Sequence, residues 1–285
     1  MQQEPEITDD DVNIEEIEIR LLLEAIYSMY GYDFRRYSKA SIRRRVLHRL
    51  GLSGFGNIMQ MTDKVLRDRQ FFVELLNDLT VNVTEMFRDP MFYRRFREEV
   101  VPVLKTFPFI KIWHAGCSTG EEIYSMAVLL EEEGLYERTM MYATDIDKNV
   151  LATAKKGIYS IAAIKQYSDN YIQAGGKSSL SDYYTCKYES VIMDQGLKRN
   201  IVFADHDLAT DQVFGEMNVI VCRNVLIYFD RQLQERVFNL FRDSLDLGGY
   251  LCLGTKESLK FADADHGFEP VDAEMKIFRR KQVSL

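Results

Sequence analysis

The sequence predicts a doubly wound α/β sheet of parallel strands carrying a small β insertion, preceded by a small all-helical domain. Three observations carry that prediction. From about residue 110 short apolar strands alternate with amphipathic helices, whereas before residue 80 the apolar residues recur only at helical spacing. At about 166–200 the alternation is broken by Tyr183-Tyr184-Thr185 and by Tyr188–Met193. The chain has 285 residues, is 46% hydrophobic and holds only 5 Pro, which excludes a disordered protein and leaves room for two domains. Its apolar runs fall well below the ~18 residues of a membrane span, and its acidic start lacks a signal segment, so a cytoplasmic protein is expected. Cys117, Cys186, Cys222 and Cys252 lie far apart with no C-x-x-C pair, which predicts reduced thiols and no metal site.

Residues 1–19 hold Glu4, Glu6, Asp9, Asp10, Asp11, Glu15, Glu16 and Glu18 with no base, and read as a disordered acidic tail. Residues 20–80 form the helical domain. Leu21–Tyr30 is a helix stopped by Gly31. Ser38–Leu50 places Ile42, Val46 and Leu50 on one side and Arg43, Arg44, Arg45 and Arg49 on its outer faces, and ends at Gly51, Gly54 and Gly56. Phe71–Thr80 is a further amphipathic helix. A linker, 81–105, contains Asp89-Pro90, which reads as an N-cap with Pro at the first helical position.

The α/β domain spans 106–285, with the insertion at about 166–200. Ile110–Ala115 is its first strand, followed by a helix from Thr119 through Leu130. Met140–Thr144 is the second strand, then Lys148–Lys155 a helix. Ile201–Ala204 and Val219–Cys222 are strands. Leu233, Val237, Leu240, Phe241 and Leu245 stripe a helix after Asp230, and Gly248-Gly249 turns into the strand Tyr250–Leu253.

The formal charge is −8, all of it accounted for by the first 19 residues. Residues 35–69 are strongly basic, with Asp63 and Asp68 the only acids among them. Such a block is either a solvated helix face or a platform for an acidic partner. It lacks the interleaved aromatics of a single-strand binding surface, so nucleic acid is not expected.

Open α/β sheets bind ligands beyond the carboxyl ends of their strands. Trp113-His-Ala-Gly-Cys-Ser-Thr-Gly120 occupies that place after the first strand. Gly116 would let a ligand approach the backbone, and Gly120 would let the helix start tightly. There is no G-x-G-x-x-G, and Glu121 and Glu122 in the first helical turn would repel a pyrophosphate but suit a cationic ligand. Thr119-x-x-Glu122 also matches a capping box, and the two roles are compatible. Asp145 ends the second strand at the position where a carboxylate takes ribose hydroxyls, while Asp147 reads as a helix cap. Cys222-Arg-Asn-Val-Leu-Ile-Tyr-Phe-Asp230 brings Arg223, Asn224 and Tyr228 to the same edge, where the Arg and Asn read equally as structural or ligand-facing. His48, His114, His206 and His266 are scattered and read as structural, and no Ser-His-Asp or Cys-His set is evident.

Asn82-Val-Thr-Glu-Met-Phe-Arg-Asp89, Ala115-Gly-Cys-Ser-Thr-Gly-Glu-Glu122, Ala143-Thr-Asp-Ile-Asp147, Gly157-Ile-Tyr159 and Cys222-Arg-Asn-Val-Leu-Ile-Tyr-Phe-Asp230 occur in that order. Together they resemble the CheR family of chemotaxis receptor methyltransferases, over about residues 20–280. The resemblance implies a Rossmann-like methyltransferase fold and an S-adenosylmethionine-dependent protein-glutamate O-methyltransferase. Its products would be glutamate methyl esters on chemoreceptor cytoplasmic helices and S-adenosylhomocysteine, with no metal and a monomer as the default state.

By the same resemblance Asn82, Thr84 and Arg88 fold over the cofactor from the linker, with Gly116 in the loop beside it. Glu122 meets its amino-acid end and Asp145 its ribose. Asp207-Leu208 lies on the adenine side, where the family usually has Asn-Leu, and Arg223-Asn224 adds a further contact. Arg88 and Tyr228 are similar to the pair near the transferred methyl. Arg43, Arg44, Arg45 and Arg49 are expected to dock on acidic receptor helices, with the acidic tail competing for them. Val83 and Met86 replace the commoner Glu and Phe, and Ile123 the usual Pro; none removes a needed polar group. In some members the β insertion holds a receptor tether peptide, and Tyr183–Met193 leaves that open.

Two alternatives stand beside this reading. One is a methyltransferase of the same fold acting on another protein or a small molecule, the latter disfavoured by the basic helix. The other is a non-catalytic S-adenosylmethionine-binding signalling module. A nicotinamide dehydrogenase lacks its glycine fingerprint.

Overall fold

The computed structural model describes residues 9–259 and 267–281, so Glu4, Glu6 and His266 lie outside the described residues. The chain divides into two compact units. One comprises the residues up to Val81 together with Tyr228–Leu233, the other Asn82–Ile227 and the residues from Gln234 onward.

In the first unit, α1 (Asp9–Tyr30), α2 (Lys39–Ser53), α3 (Ile58–Arg67) and α4 (Arg69–Leu79) surround a core that includes Leu22, Ile26, Phe34, Val46, Met61 and Leu75. Asn57 caps α3 by accepting from the Gln60 amide, and Asp68 caps α4 by accepting from Gln70 and Phe71. Tyr228–Leu233 completes this unit. The Ser38 amide donates to the Tyr228 carbonyl at 2.7 Å, the Asp230 amide donates to the Arg36 carbonyl at 2.8 Å, and the Tyr37 and Phe229 rings meet edge-on.

Three expectations change here. The helix α1 begins at Asp9, so residues 9–19 are helical rather than disordered. Ile19 packs on the core, Glu18 accepts from the Ile58 amide and Glu15 pairs with Arg43 at 2.5 Å. The helix α3 was not expected, because the glycine-rich stretch before it masks its short apolar stripe. Arg45, expected on an outer face, is buried. It lies three residues after Ile42 and beside Val46, on the apolar face, where its guanidinium donates to the Leu79 carbonyl and sits 4.9 Å from the Tyr228 ring centre. Arg49 is also mostly covered and pairs with Asp78 and Glu74. Of the four arginines, Arg44 alone is exposed without an ion pair among the described residues.

The second unit opens with α5 (Pro90–Arg95), which runs through a π-helical turn (Phe96–Val100) into α6 (Val101–Leu104). Then follow β1 (Ile110–Ala115), α7 (Glu121–Glu132), β2 (Thr139–Asp145), α8 (Lys148–Lys156), β3 (Ile158–Ser160), α9 (Ile164–Gln173), β4 (Tyr184–Lys187) and β5 (Ser190–Met193). The chain continues through β6 (Ile201–Asp205), β7 (Met217–Cys222), α10 (Arg231–Ser244), β8 (Leu245–Leu253), β9 (Phe268–Asp272) and β10 (Ile277–Arg280). Among the described residues the main sheet has seven strands in the order β6-β2-β1-β7-β8-β10-β9, parallel from β6 to β8 and antiparallel through β10 and β9. This is a Rossmann-like methyltransferase fold. The smaller antiparallel sheet, β3-β5-β4, is the insertion, its third strand coming from Ile158–Ser160.

β7 is buried at every position and β1 at all but Lys111, as central parallel strands covered on both faces must be. The strand order reverses at β1 and β7, and the crevice beyond their carboxyl ends is where such sheets hold ligands. Among the described residues no helix is long and apolar enough to cross a membrane, and no group of three His, Cys, Asp or Glu is placed to hold a metal ion.

Candidate active site

The loop after β1 is built on two left-handed glycines, Gly116 (φ 79°) and Gly120 (φ 96°). A Cβ at Gly116 would lie 2.5 Å from Val225 Cγ2, and the Gly116 amide donates to the Thr144 carbonyl at 2.9 Å. The space beside this glycine is therefore filled by the loop after β7, which it draws in. Ser118 donates its amide to Asp145 Oδ2 at 2.9 Å, and Asp147 donates its amide to Asp145 Oδ1 at 3.0 Å. Each oxygen of Asp145 has spent one hydrogen bond and keeps capacity for another. Burial pushes the Asp145 carboxyl above its ordinary pKa, with those two amides pulling the other way. Asp147 caps α8 through the Asn149 amide at 2.8 Å, and its other oxygen accepts from Asn82 Nδ2 in the linker.

Glu122 does not close a capping box. Its carboxylate accepts from His114 Nδ1 at 3.0 Å and from the Arg223 guanidinium at 3.2 Å, while Thr119 Oγ1 donates to Glu121 at 2.6 Å. A buried cation outcompetes a backbone amide for that carboxylate. Burial works to raise the Glu122 pKa, but the His114 bond and the Arg223 charge hold it below its ordinary value.

Arg223 is itself buried. Besides Glu122 it grips Asp89 at 2.7 Å and the Arg88 carbonyl at 3.1 Å, and its guanidinium lies 4.3 Å from the Phe92 ring centre. The linker it holds is strained, with Phe87 (φ 53°) and Asp89 (φ 55°) both left-handed. Met86 and Phe87 anchor it from below. The Phe87 amide donates to Ser125 Oγ at 2.8 Å, and Asn170 Nδ2 donates to the Met86 carbonyl at 3.0 Å. Met86, which stands where the resemblance leads one to expect Phe, is buried. The Arg88 side chain is half-buried, donating to the Val83 carbonyl at 3.2 Å, and Thr84 is half-buried in the same segment.

Asp205 pairs in register with Asp145, so Asp207-Leu208 emerges beside it. Asp207 caps its own turn through the Ala209 amide at 2.8 Å, and Leu208 is buried. Asn224 adopts a left-handed backbone (φ 62°). The turn it belongs to is held by Glu257, a buried carboxylate to which the sequence alone assigned no role. Asn82, Thr84, Arg88, Gly116, Glu122, Asp145, Asp207, Leu208, Arg223 and Asn224 all belong to the second unit, in the linker or in loops at the carboxyl ends of β1, β2, β6 and β7. Tyr228, Arg43, Arg44, Arg45 and Arg49 belong to the first.

This arrangement has counterparts. Residues 17–80 match the family profile "CheR methyltransferase, all-alpha domain" and residues 82–277 match "CheR methyltransferase, SAM binding domain". The chain belongs to the CheR methyltransferase family. It is 52% identical over 265 residues to Cher3 of Pseudomonas putida, named as a methyltransferase, covering 93% of this chain and 97% of that one. The chemotaxis protein methyltransferase of Salmonella typhimurium is 29% identical over 250 residues, covering 84% and 83% of the two chains. That of Borreliella burgdorferi is 28% identical over 272 residues, covering 88% and 91%. Among solved structures, the N-methyltransferase NodS of Bradyrhizobium japonicum aligns over 67% of this chain and 88% of that one with a TM-score of 0.35 at 14% identity, too distant to bear on function.

A CheR chain is an S-adenosylmethionine-dependent methyltransferase, and the residues present fit that cofactor. Glu122 and Asp89 share the one buried guanidinium of Arg223, and Asp145 adds a carboxylate held only by backbone amides, a negative balance that suits a cationic ligand and opposes a polyphosphate. Among the described residues buried Ser118 Oγ has no hydrogen-bond partner, which leaves a polar atom beside Asp145 for a ligand to satisfy.

Proposed function

We propose that this chain transfers methyl groups from S-adenosylmethionine to glutamate side chains of chemoreceptor cytoplasmic helices, in the cytoplasm and as a monomer. The observation that carries this reading is the linker Asn82–Asp89. Its backbone is locked by Arg223, Ser125 and Asn170, and the half-buried Arg88 side chain stands on that rigid base with a bond to the Val83 carbonyl. A fixed arginine of this kind suits recognition of a carboxylate, which it can hold through two parallel bonds. The names of the Salmonella and Borreliella relatives support the chemotaxis setting.

When bound, S-adenosylmethionine supplies an electrophilic methyl group on a positively charged sulfur. Asp145 and Asp207-Leu208 would hold its nucleoside end, and Glu122, Asn82, Thr84, Gly116, Arg223 and Asn224 the remainder. A glutamate acceptor, with an ordinary pKa of about 4.3, is already ionised at neutral pH and needs no general base. Arg88 orients that carboxylate, and Tyr228 carries the hydroxyl the resemblance assigns to it. Alignment of this sort can contribute about 7–11 kcal/mol to a two-body reaction. For docking, Arg44 and the half-exposed Arg43 are the available cations of α2, because Arg45 and Arg49 are engaged within their own unit.

The test is transfer of labelled methyl from S-adenosylmethionine to a purified chemoreceptor cytoplasmic fragment, followed by mild base. Release of the label as methanol is the expected result, since a glutamyl methyl ester hydrolyses readily. Label that survives base would assign the chain another acceptor, and no transfer at all would favour a binding module.

A further inference from the structure

The carboxyl end of β8 contributes a buried carboxylate, Glu257, that is none of the cofactor-facing residues named so far. Gly254 follows this strand, in register beside the end of β7 through the Cys222–Leu253 pair, and Glu257 lies one turn further on. The Glu257 side chain is buried and folds back between the two strand ends. Its Oε1 accepts from the amides of Val225 at 2.9 Å and Leu226 at 2.7 Å, and its Oε2 accepts from those of Asn224 at 3.1 Å and Gly254 at 2.5 Å. Two bonds on each oxygen use up a carboxylate's accepting capacity, so Glu257 has nothing left to offer a ligand.

We infer that Glu257 is the positioning residue for the cofactor-facing turn Arg223–Leu226. The inference rests on the cofactor reading above. Three successive amides of that turn converge on one carboxylate, which selects the left-handed conformation of Asn224 without a glycine there. Direction of the turn follows from this: Asn224 is set on the cofactor side, Arg223 is aimed at Glu122 and Asp89, and Val225 packs against Gly116. Gly254 is part of the same device, since a Cβ there would lie 2.8 Å from the Asn224 amide nitrogen and 2.9 Å from Glu257 Oε2.

Glu257→Gln keeps the size of the side chain but turns an NH2 group toward two of the four amides, leaving them unpaired. Calorimetric titration of the full chain with S-adenosylhomocysteine should then show affinity weakened by about tenfold or more, the scale seen when partners that orient a binding group are lost. Steady-state methylation should show the KM for S-adenosylmethionine raised in proportion while the KM for a receptor fragment stays unchanged, a split that general loss of folded protein would not produce. Gly254→Ala disturbs the same turn with Glu257 intact and should give the same split, which decides the matter if the first variant fails to fold. Unchanged affinity in a folded variant, or equal changes in both KM values, would overturn the inference. Unfolding of both variants would also overturn it, because Glu257 would then hold the fold rather than the turn. Wild-type protein that binds no S-adenosylhomocysteine would instead overturn the cofactor reading, and this inference with it.

Discussion

Replacing Arg223 with Met tests whether the centre of the crevice is held by charge. The guanidinium is 1% exposed, and the substitution removes its bonds to Glu122 (3.2 Å), Asp89 (2.7 Å) and the Arg88 carbonyl (3.1 Å) while keeping an apolar body against Phe92. Asp89 is 35% exposed and can fall back on water, so little of the cost comes from it. Glu122, at 16%, cannot. Removing one partner of a buried pair costs about 3–5 kcal/mol, and the half-wet Asp89 side places this case near the lower end, about 3 kcal/mol.

Trp113, the single tryptophan, is fully buried in β1 next to His114, so urea unfolding followed by its fluorescence reads the loss in the second unit. The double variant Arg223→Met/Glu122→Gln, which removes both charges, should recover about half of that loss or more. The pH dependence should change with it. Glu122 is held below its ordinary value of 4.5, so in the wild type its charge contributes stability above that pH, lost as pH falls through the lower folded value. Without Arg223 burial dominates and the folded value moves up, so the variant regains stability as the medium is acidified from neutral. A loss below about 1 kcal/mol, the worth of a surface pair, together with an unchanged pH slope would refute the reasoning.

Four further outcomes are expected. Asp145→Ala should weaken S-adenosylhomocysteine binding by tenfold or more in calorimetry, since the carboxylate proposed to hold the ribose and the anchor of the Ser118 amide go together. Arg88→Ala should lower kcat about a hundredfold with little change in melting temperature, because among the described residues the side chain's hydrogen bond is to the Val83 carbonyl alone. Gly116→Ala should cost about 1–3 kcal/mol in thermal unfolding, part of it regained with Val225→Ala, which removes the methyl 2.5 Å from the new Cβ. Glu15→Gln frees Arg43 and should speed methylation of a receptor fragment at low salt, with the gain disappearing in high salt; an equal rate at both would remove the acidic segment from the picture.

The sequence showed most clearly what depends on local periodicity. β1, β2 and β7 read as apolar runs because parallel central strands are covered on both faces, and α7, α8 and α10 follow from their spacing. Of the insertion, β4 and β5 were visible while β3 and α9 were not, since three residues carry no periodicity and α9 begins without a side-chain cap. The hairpin β9–β10 escaped for a similar reason: Pro270 and the Asp272 turn resemble a loop. At the candidate site, the place of Asp145 at the carboxyl end of β2 was legible from the strand pattern alone. What could not be read was the partner of each side chain. Arg45 looked like one more surface cation until Leu79 and Tyr228, remote in sequence, closed over it. Glu122 fits the capping pattern locally and is diverted by Arg223, 101 residues away. Glu257 had a faint signal, a carboxylate just past a glycine at a strand's end, but four amide donors converging on it are a tertiary fact.

That the helical unit takes its last six residues, Tyr228–Leu233, from far along the chain has a genetic consequence. No single cut in the gene separates the two units. A fragment ending at Val81 would lack the strand-like pairing of Tyr37 with Phe229 and the ring beneath Arg45, leaving an apolar seam and an unmatched buried cation. Exchange of the helical unit between relatives would have to carry this distant hexapeptide too. Shuffling at the obvious boundary should therefore yield poorly folded hybrids.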